Sequence, residues 1–373
     1  MVKLSIFSGT RAEYGLMKNL IQYLQKDNFF DLNVIVSGTH LESEYGNTIN
    51  EIKKDGININ ASFAIPPKTN SKIDMAFQTS EIIKFVSSNL EKFKSDYLII
   101  LGDRFESFGA ATAAHLLGIK NIHLHGGEST IGALDDKLRH AISQLSTYHF
   151  TSAEVHKNKV IDLIGSSKNV YNVGPLVLDA LLDLNFLSYK EFEEKTGYIF
   201  SKRNLLITFH PETLSFDQGI SNFEKLLKVL ANSNCNILFT APNADFGSAK
   251  IIRLIKEFCA KHLKRSLYLP SLGQELYLNA IILFDCVIGN SSSGIIEAQL
   301  LNSQVINVGD RQKGRFRFGK VMEAYNDIDR INYLVNKVLN CDVYDNKSII
   351  NFKKKYLENI PSKKIVSILK ASI

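Results

Sequence analysis

Cysteine is sparse in this chain, and none of it is arranged for chemistry. Cys235, Cys259, Cys286 and Cys341 lie far apart and form no C-x-x-C pair. Cys235 and Cys286 sit in apolar runs that read as strands. Reduced, packed thiols in a cytoplasmic protein are therefore expected, with neither a disulfide framework nor a zinc knuckle. No run of 18 apolar residues occurs, so no membrane span is expected. The opening stretch MVKLSIFSGTRAEYG has too short an apolar run for a signal peptide and no small-residue cleavage site. A basic stripe is missing too. The net charge is +6, but the lysines are scattered, and the tightest group, Lys353, Lys354 and Lys355, reads as a solvated helix face. Nucleic-acid binding is not expected on that pattern. A mildly basic protein with anionic small-molecule substrates fits it.

The chain is long enough, at 373 residues, for about two domains with sizeable cores. Its 45% hydrophobic and 22% charged content is that of an ordinary soluble globular protein. Continuous apolar runs such as KLSIFSG, LNVIVSG, DYLIILGD and KNIHLHGG alternate with segments of helical period. Strands that are apolar on both faces are covered by helices on both faces. The expected fold class is therefore α/β, with two doubly wound, Rossmann-like domains facing across a cleft. The rhythm breaks in the segment that begins GPLVLDALLD and restarts at NLLITFHPE. This gives an N-terminal domain over 1–180, a C-terminal domain over 181–360 and a last amphipathic helix, 361–373, that could dock on either.

The junctions after the strands are polar and glycine-rich. GDRFES places Asp103 after a strongly apolar strand, either as the cap of the next helix or as an acid-base group. ALDDKLRHA offers Asp135 and Asp136 one turn before Arg139 and His140, either as an i,i+4 ion pair or as a carboxylate held in place by the arginine. TFHPE leaves His210 at a strand end, as a core histidine or a site residue. GNSSSG places Ser292 and Ser293 at a helix start, where a serine cap and a phosphate site are both possible. Arg11 and Arg311 each follow a strand and would form surface ion pairs or grip a diphosphate. In HLHGGE the strand period puts His123 and His125 on one side, as metal ligands, acid-base groups or packed histidines. Two ligands are too few for zinc, and no third appears at a familiar spacing.

Taken together, GTRAEYG, GDRFE, HGGE with GALDDKLRHAIS, TFHP, GNSSSGIIEA and VGDRQKGR resemble the hydrolysing nucleotide-sugar 2-epimerases of bacterial sialic-acid and legionaminic-acid synthesis. The likeness runs in matching order from about residue 3 to 320. It implies a fold like the GT-B glycosyltransferases with a nucleotide-sugar substrate and no cofactor or metal. It also implies a homodimer. The implied reaction releases a nucleoside diphosphate from a 2-acetamido sugar with inversion at C2, through a 2-acetamidoglucal.

By that resemblance Asp103 and Asp135 match catalytic carboxylates, and His210 matches a histidine of catalysis or phosphate contact. Arg11, Arg104, Ser292, Ser293, Glu297 and Arg311 match substrate- or nucleotide-binding positions, with Glu297 on the ribose. Sialic-acid members typically read H-x-E-G-G-E, whereas this chain has His125 at the first glutamate, leaving His125 and Glu128 as the candidate proton-transfer groups. The motif as it stands is closer to the legionaminic branch, whose sugar is N,N'-diacetylbacillosamine. UDP-N-acetylglucosamine is the other candidate substrate, with UDP or GDP as the carrier. A glycosyltransferase using the same donor, a metal-dependent hydrolase and a non-catalytic sugar-nucleotide sensor are the competing readings.

Overall fold

The computed structural model describes residues 1–42, 46–65, 73–129, 134–212, 216–242, 247–341, 356 and 359–373. The lysine group at 353–355 lies outside them. The chain divides into two compact units. The first holds Met1–Ser129, Leu134–Leu182 and the returning C-terminal segment from Tyr356; the second begins at Asp183.

Unit one is built on seven parallel strands. They are β1 (Val2–Ser8), β2 (Phe30–Val36), β3 (Ala61–Ser62), β4 (Tyr97–Leu101), β5 (Lys120–Leu124), β6 (Ser146–Thr151) and β7 (Val170–Asn172). Their order is β3-β2-β1-β4-β5-β6-β7, so the winding reverses between β1 and β4. Alternation divides each apolar run between two buried faces. Leu4, Ile6, Ile99 and Leu101 pack on one side with Met17 and Leu20 of the helix Arg11–Lys26. Phe7, Leu98 and Ile100 pack on the other with Ile82 and Val86 of Asp74–Phe93 and with the alanines of Phe105–Leu116. The C-terminal helix, Pro361–Ser372, sends Ile365 and Leu369 into the first of these faces. Its first turn is held by Asp179, which is 2% exposed and accepts from Ser362 N–H at 3.2 Å and Ser362 Oγ–H at 2.6 Å.

Unit two carries six parallel strands. They are β8 (Asn204–Thr208), β9 (Asn236–Thr240), β10 (Ser266–Leu269), β11 (Cys286–Gly289), β12 (Val305–Val308) and β13 (Met322–Ala324), in the order β10-β9-β8-β11-β12-β13. Here the winding reverses between β8 and β11. Leu205, Ile207, Phe239, Ile288 and Ile306 form one cluster with Phe223 and Leu226. Cys235 and Cys286 are buried free thiols, and burial pushes both up, Cys235 to about 11. The two doubly wound sheets match the expected fold class. The short outer strands β3 and β13 lack the apolar runs that mark the others.

Four histidines of unit one are buried as neutral rings. Burial pulls His40, His149 and His156 down to about 4 and His123 to about 3. Glu13 shifts the other way, raised to about 7 by burial and then by the Glu106 carboxylate. Between pH 6.5 and 4.5 the unfolded chain therefore takes up four histidine protons that the fold refuses. Glu13 works in the opposite sense, because the fold keeps a proton that the unfolded chain releases. Four against one makes stability fall as pH drops through that window. Urea midpoints at pH 7 and pH 5.5 test this, with the lower midpoint expected at pH 5.5; an equal or higher one there would contradict it.

Candidate active site

In a doubly wound sheet, the strand ends beside the reversal leave a crevice where ligands sit. In unit one those ends carry Gly9 to Arg11 after β1 and Gly102 to Arg104 after β4. Thr10 caps the helix Arg11–Lys26 in a capping box with Glu13. Glu13 Oε2 accepts from Gly9 N–H at 2.8 Å and Thr10 N–H at 3.0 Å, and Oε1 accepts from Ser107 Oγ–H at 3.0 Å. This ties the β1 end to the helix after β4. Arg104 forks onto Glu106 with two bonds of 3.1 Å. Burial alone would lower its guanidinium; Glu106, Glu13 and Asp135 more than offset that and raise it. Arg11 donates from Nε to Glu51 at 2.9 Å, and both side chains remain partly exposed.

The centre of unit one's site is Arg139, only 4% exposed, on the helix Leu134–Gln144. One amino group donates to Asp103 Oδ2. The other donates to the His125 carbonyl at 2.8 Å and faces Glu128 Oε2 at 3.8 Å. Burial would lower this guanidinium, but Asp103 and Glu128 hold it up. Asp103 does not cap the next helix, whose cap position is Arg104 without a side-chain bond. Arg139 has recruited Asp103 across 36 positions, while Asp135, one turn before it, adds its charge to the same field.

The strand rule does not reach His125. β5 ends at Leu124, and His125 takes φ +61, a region where histidine is more tolerated than most side chains. The two rings accordingly have different partners. His123 meets the Gly102 carbonyl at 2.8 Å and Ser143 Oγ at 3.0 Å, as a packed core histidine. His125 Nε2 accepts from Leu176 N–H at 3.1 Å, and Nδ1 lies 3.1 Å from Glu128 Oε1. An acceptor at Nε2 requires the ring proton on Nδ1, aimed at the glutamate. Glu128 Oε1 also accepts from Ser152 Oγ–H at 2.6 Å. Burial would raise the Glu128 carboxyl, but His125, then Arg139 and His156, hold it well below the usual carboxylate range. Gly127, at φ +78, is obligatory, because a Cβ there would sit 2.2 Å from the His156 carbonyl.

In unit two the reversal lies between β8 and β11, and its hub is Asn290, which is fully buried. His210 N–H donates to Asn290 Oδ1 at 2.6 Å, and Asn290 Nδ2–H returns a bond of 2.9 Å to the His210 carbonyl. The Asn290 carbonyl accepts from Arg311 at 3.1 Å and Gln312 at 2.6 Å. Gly289 lets the strand end this close to its neighbour, since a Cβ would meet the Thr208 carbonyl at 1.9 Å. Burial, then Arg311, pushes the His210 ring well below its usual range, so it is neutral at neutral pH. The expected single helix after GNSSSG is split: Ser292–Ile295 makes one turn, Ile296 breaks it, and Glu297 opens the next turn, Glu297–Leu300. Ser293 is buried, whereas Ser292 and Glu297 are partly exposed.

Unit one thus gathers Asp103, His125 and Glu128 on one guanidinium, with Asp135 in its charge field and in that of Arg104. Unit two gathers His210 and Arg311 on Asn290. Arg11 stands apart on Glu51. Glu13 and Asn290 were missing from the sequence-based candidates. The T-x-x-E spacing of a capping box marks Glu13, and nothing local marks Asn290. Among the described residues, no group of three or more His, Cys, Asp or Glu could hold a metal ion, and no helix is long and apolar enough to cross a membrane.

Comparison with known proteins follows the same lines. The family described as UDP-N-acetylglucosamine 2-epimerase matches residues 22–370. The chain is 36% identical to the GDP/UDP-N,N'-diacetylbacillosamine 2-epimerase (hydrolyzing) of Campylobacter jejuni, covering 88% of this chain and 86% of that one. It is 32% identical to the UDP-N,N'-diacetylbacillosamine 2-epimerase (hydrolyzing) of Legionella pneumophila, over 99% and 95%. Its fold is similar to that of the UDP-GlcNAc 2-epimerase of Neisseria meningitidis, solved bound to UDP-GlcNAc, with a TM-score of 0.77 at 20% identity, over 96% and 99%. With nearly its whole length matched, and with the strand-end motifs in the family's order, the chain belongs to the UDP-N-acetylglucosamine 2-epimerase family.

Proposed function

We propose that this chain is a hydrolysing nucleotide-sugar 2-epimerase. It takes a sugar nucleotide as substrate, with N,N'-diacetylbacillosamine on UDP or GDP as its sugar. It releases the nucleoside diphosphate and the free C2-inverted sugar, 2,4-diacetamido-2,4,6-trideoxymannose. The observation that carries this reading is the pair of carboxylates, Asp103 and Glu128, gathered on the buried Arg139 at the ends of β4 and β5. The names of the Campylobacter and Legionella relatives support the choice of sugar.

The chemistry has two halves. A base takes the proton from C2 while the C1–O bond breaks, its electron pair leaving with the diphosphate and C1=C2 forming. Water then adds its hydroxyl to C1, and C2 receives a proton on the opposite face. A C2–H is a weak acid, so a positioned base is required. Arg139 aims Asp103, and we assign Asp103 as that base, with Asp135 as its acid-base partner. Glu128 stays ionised and orders the site. His125 is a positioning residue, because its one lone pair is committed to Leu176 N–H. The leaving diphosphate gathers charge that donors stabilise. Arg11, Arg104, Arg311, Ser292, Ser293 and the neutral His210 are assigned to that part, and Glu297 to the ribose.

Asp103→Asn is expected to keep nucleoside diphosphate affinity and to lower kcat by about 100-fold or more; wild-type turnover would refute the assignment. His125→Asn keeps a residue that tolerates positive φ but loses the bridge to Glu128. It is expected to lower kcat by about 10- to 100-fold without changing the shape of the pH–rate profile. Loss of an ionisation near neutrality in that variant would instead make His125 a proton carrier. Without any acceptor, release of 2-epimerised sugar should be at least about tenfold more efficient in kcat/KM from diacetylbacillosamine nucleotides than from UDP-N-acetylglucosamine, a difference of the size one matched polar contact provides. Equal efficiencies would overturn the choice of sugar. Absence of free sugar from every donor would overturn the epimerase reading in favour of transfer or mere binding.

A further inference from the structure

The loop that carries Glu128 is seated on the segment after β6, where Ser152 leads into the helix Glu154–Ile164. Three consecutive loop residues meet that segment. Gly127 packs on the His156 carbonyl so closely that a Cβ would sit 2.2 Å from it. Glu128 Oε1 accepts from Ser152 Oγ–H at 2.6 Å, and Ser152 Oγ in turn lies 2.8 Å from His156 Nδ1. Ser129 Oγ accepts from the Lys159 ammonium, one helical turn on. Ser152 and His156 are both buried, so bulk water does not compete for the contacts they make.

A serine hydroxyl has one proton, and an ionised carboxylate only accepts. Ser152 therefore commits its proton to Glu128, and at the 2.8 Å contact it must accept. That places the proton of the His156 ring on Nδ1. Burial pulls this ring down to about 4, so at neutral pH it donates as a neutral imidazole. Glu128 Oε1 thus takes two donors from separate segments, Ser152 Oγ–H and His125 Nδ1–H, which leaves Oε2 facing Arg139 at 3.8 Å. Arg139 donates onward to Asp103. A continuous run of polar contacts therefore joins His156 to Asp103 through Ser152, Glu128 and Arg139. Donors linked head to tail polarise one another, so the His156 ring strengthens the bond that Ser152 makes.

We propose that Ser152 and His156 are positioning residues of this site: they hold the Glu128 carboxylate against Arg139 and, through that guanidinium, help to aim Asp103. This rests on the sugar-nucleotide reading above and goes beyond it by assigning work to two residues outside the sequence-based candidates. Without the Ser152 hydroxyl, Glu128 keeps only His125 on Oε1 and can rotate its other oxygen away from Arg139. The guanidinium then leans on Asp103 alone for a carboxylate, and its own direction is less well fixed. Without the His156 donor the hydroxyl remains, but it is less polarised and can turn. The effect of His156 is therefore smaller and passes entirely through Ser152.

The test compares the full-length wild type with Ser152→Ala, His156→Leu, His156→Asn and the Ser152→Ala/His156→Leu double variant. Each is assayed with UDP- and GDP-linked N,N'-diacetylbacillosamine and titrated with UDP and GDP by calorimetry. Ser152→Ala should lower kcat on the order of 10-fold or more, the worth of a hydrogen bond to a charged group. KM and diphosphate affinity should change by less than about twofold, because the loss falls on the chemical step. His156→Leu should lower kcat by about 3- to 10-fold. His156→Asn should lose less than His156→Leu, since its amide can donate from the place of Nδ1 without ever carrying a proton. In the Ser152→Ala background His156→Leu should cause no further loss, because the two act as one unit. Heteronuclear NMR of histidine-labelled wild type should show the His156 ring protonated at Nδ1. Losses that multiply, a fall in diphosphate affinity as large as the fall in kcat, equal losses for asparagine and leucine, or a proton on Nε2 would each overturn the proposal. If Ser152→Ala does not fold, the two His156 variants and the tautomer decide it. A wild-type protein that releases no 2-epimerised sugar from either donor would sink the sugar-nucleotide reading itself, an outcome distinct from an active enzyme indifferent to Ser152 and His156.

Discussion

Everything in the first unit's site depends on one buried cation. A guanidinium out of contact with water must be surrounded by acceptors, and removing a partner from such a pair costs about 3–5 kcal/mol. Arg139 meets that demand at its two amino groups, with Asp103 from the end of β4 and with the His125 carbonyl and Glu128 from beyond β5, while its Nε has no hydrogen-bond partner among the described residues. Two loops from adjacent strands are thereby held at one point. The carboxylates cannot swing away without stranding the charge, and they cannot both crowd together without it. Carboxylates placed this way are aimed before any ligand arrives.

The histidine beside this arginine follows from the same constraint. Its carbonyl is already claimed by Arg139, and its backbone N–H by the Phe150 carbonyl at 2.8 Å. The ring then has two tasks left, accepting from Leu176 and donating toward Glu128. A glutamate at this position could not do both, since an ionised carboxylate only accepts. Histidine at this position therefore fixes a neighbour through both of its ring nitrogens. Leu176 begins the segment that leads to Asp179, which in turn holds the C-terminal helix at Ser362.

Much of the architecture was legible in the sequence, because a strand buried on both faces must be apolar throughout. β4, reading YLIIL with every residue buried, could be little else. β3 and β13 escaped notice, having two and three residues and no run long enough to signal. The helix after GNSSSG looked continuous because its composition is helical, and nothing in its composition marks the break at Ile296. At the site, residue types and strand ends could be read directly, and partners could not. Spacing favoured Asp135 as the mate of Arg139, but burial brought in Asp103 from 36 positions away. Period two put His123 and His125 on a common side, yet the strand ends one residue too soon. Asn290 gave no signal at all, because a side-chain amide that brackets another residue's backbone has no sequence period.

The two units gather different groups at their strand ends. The first concentrates carboxylates around a guanidinium, groups suited to taking and returning protons at carbon. The second gathers the Arg311 guanidinium and the neutral His210 ring at its winding reversal. Burial raises the Glu212 carboxyl in the same region. This separation has a physical reason. A carboxylate basic enough to attack C2–H would repel a diphosphate held beside it, and a cluster of donors would quench the basicity of a neighbouring carboxylate. Each cluster is tuned by burial within its own unit.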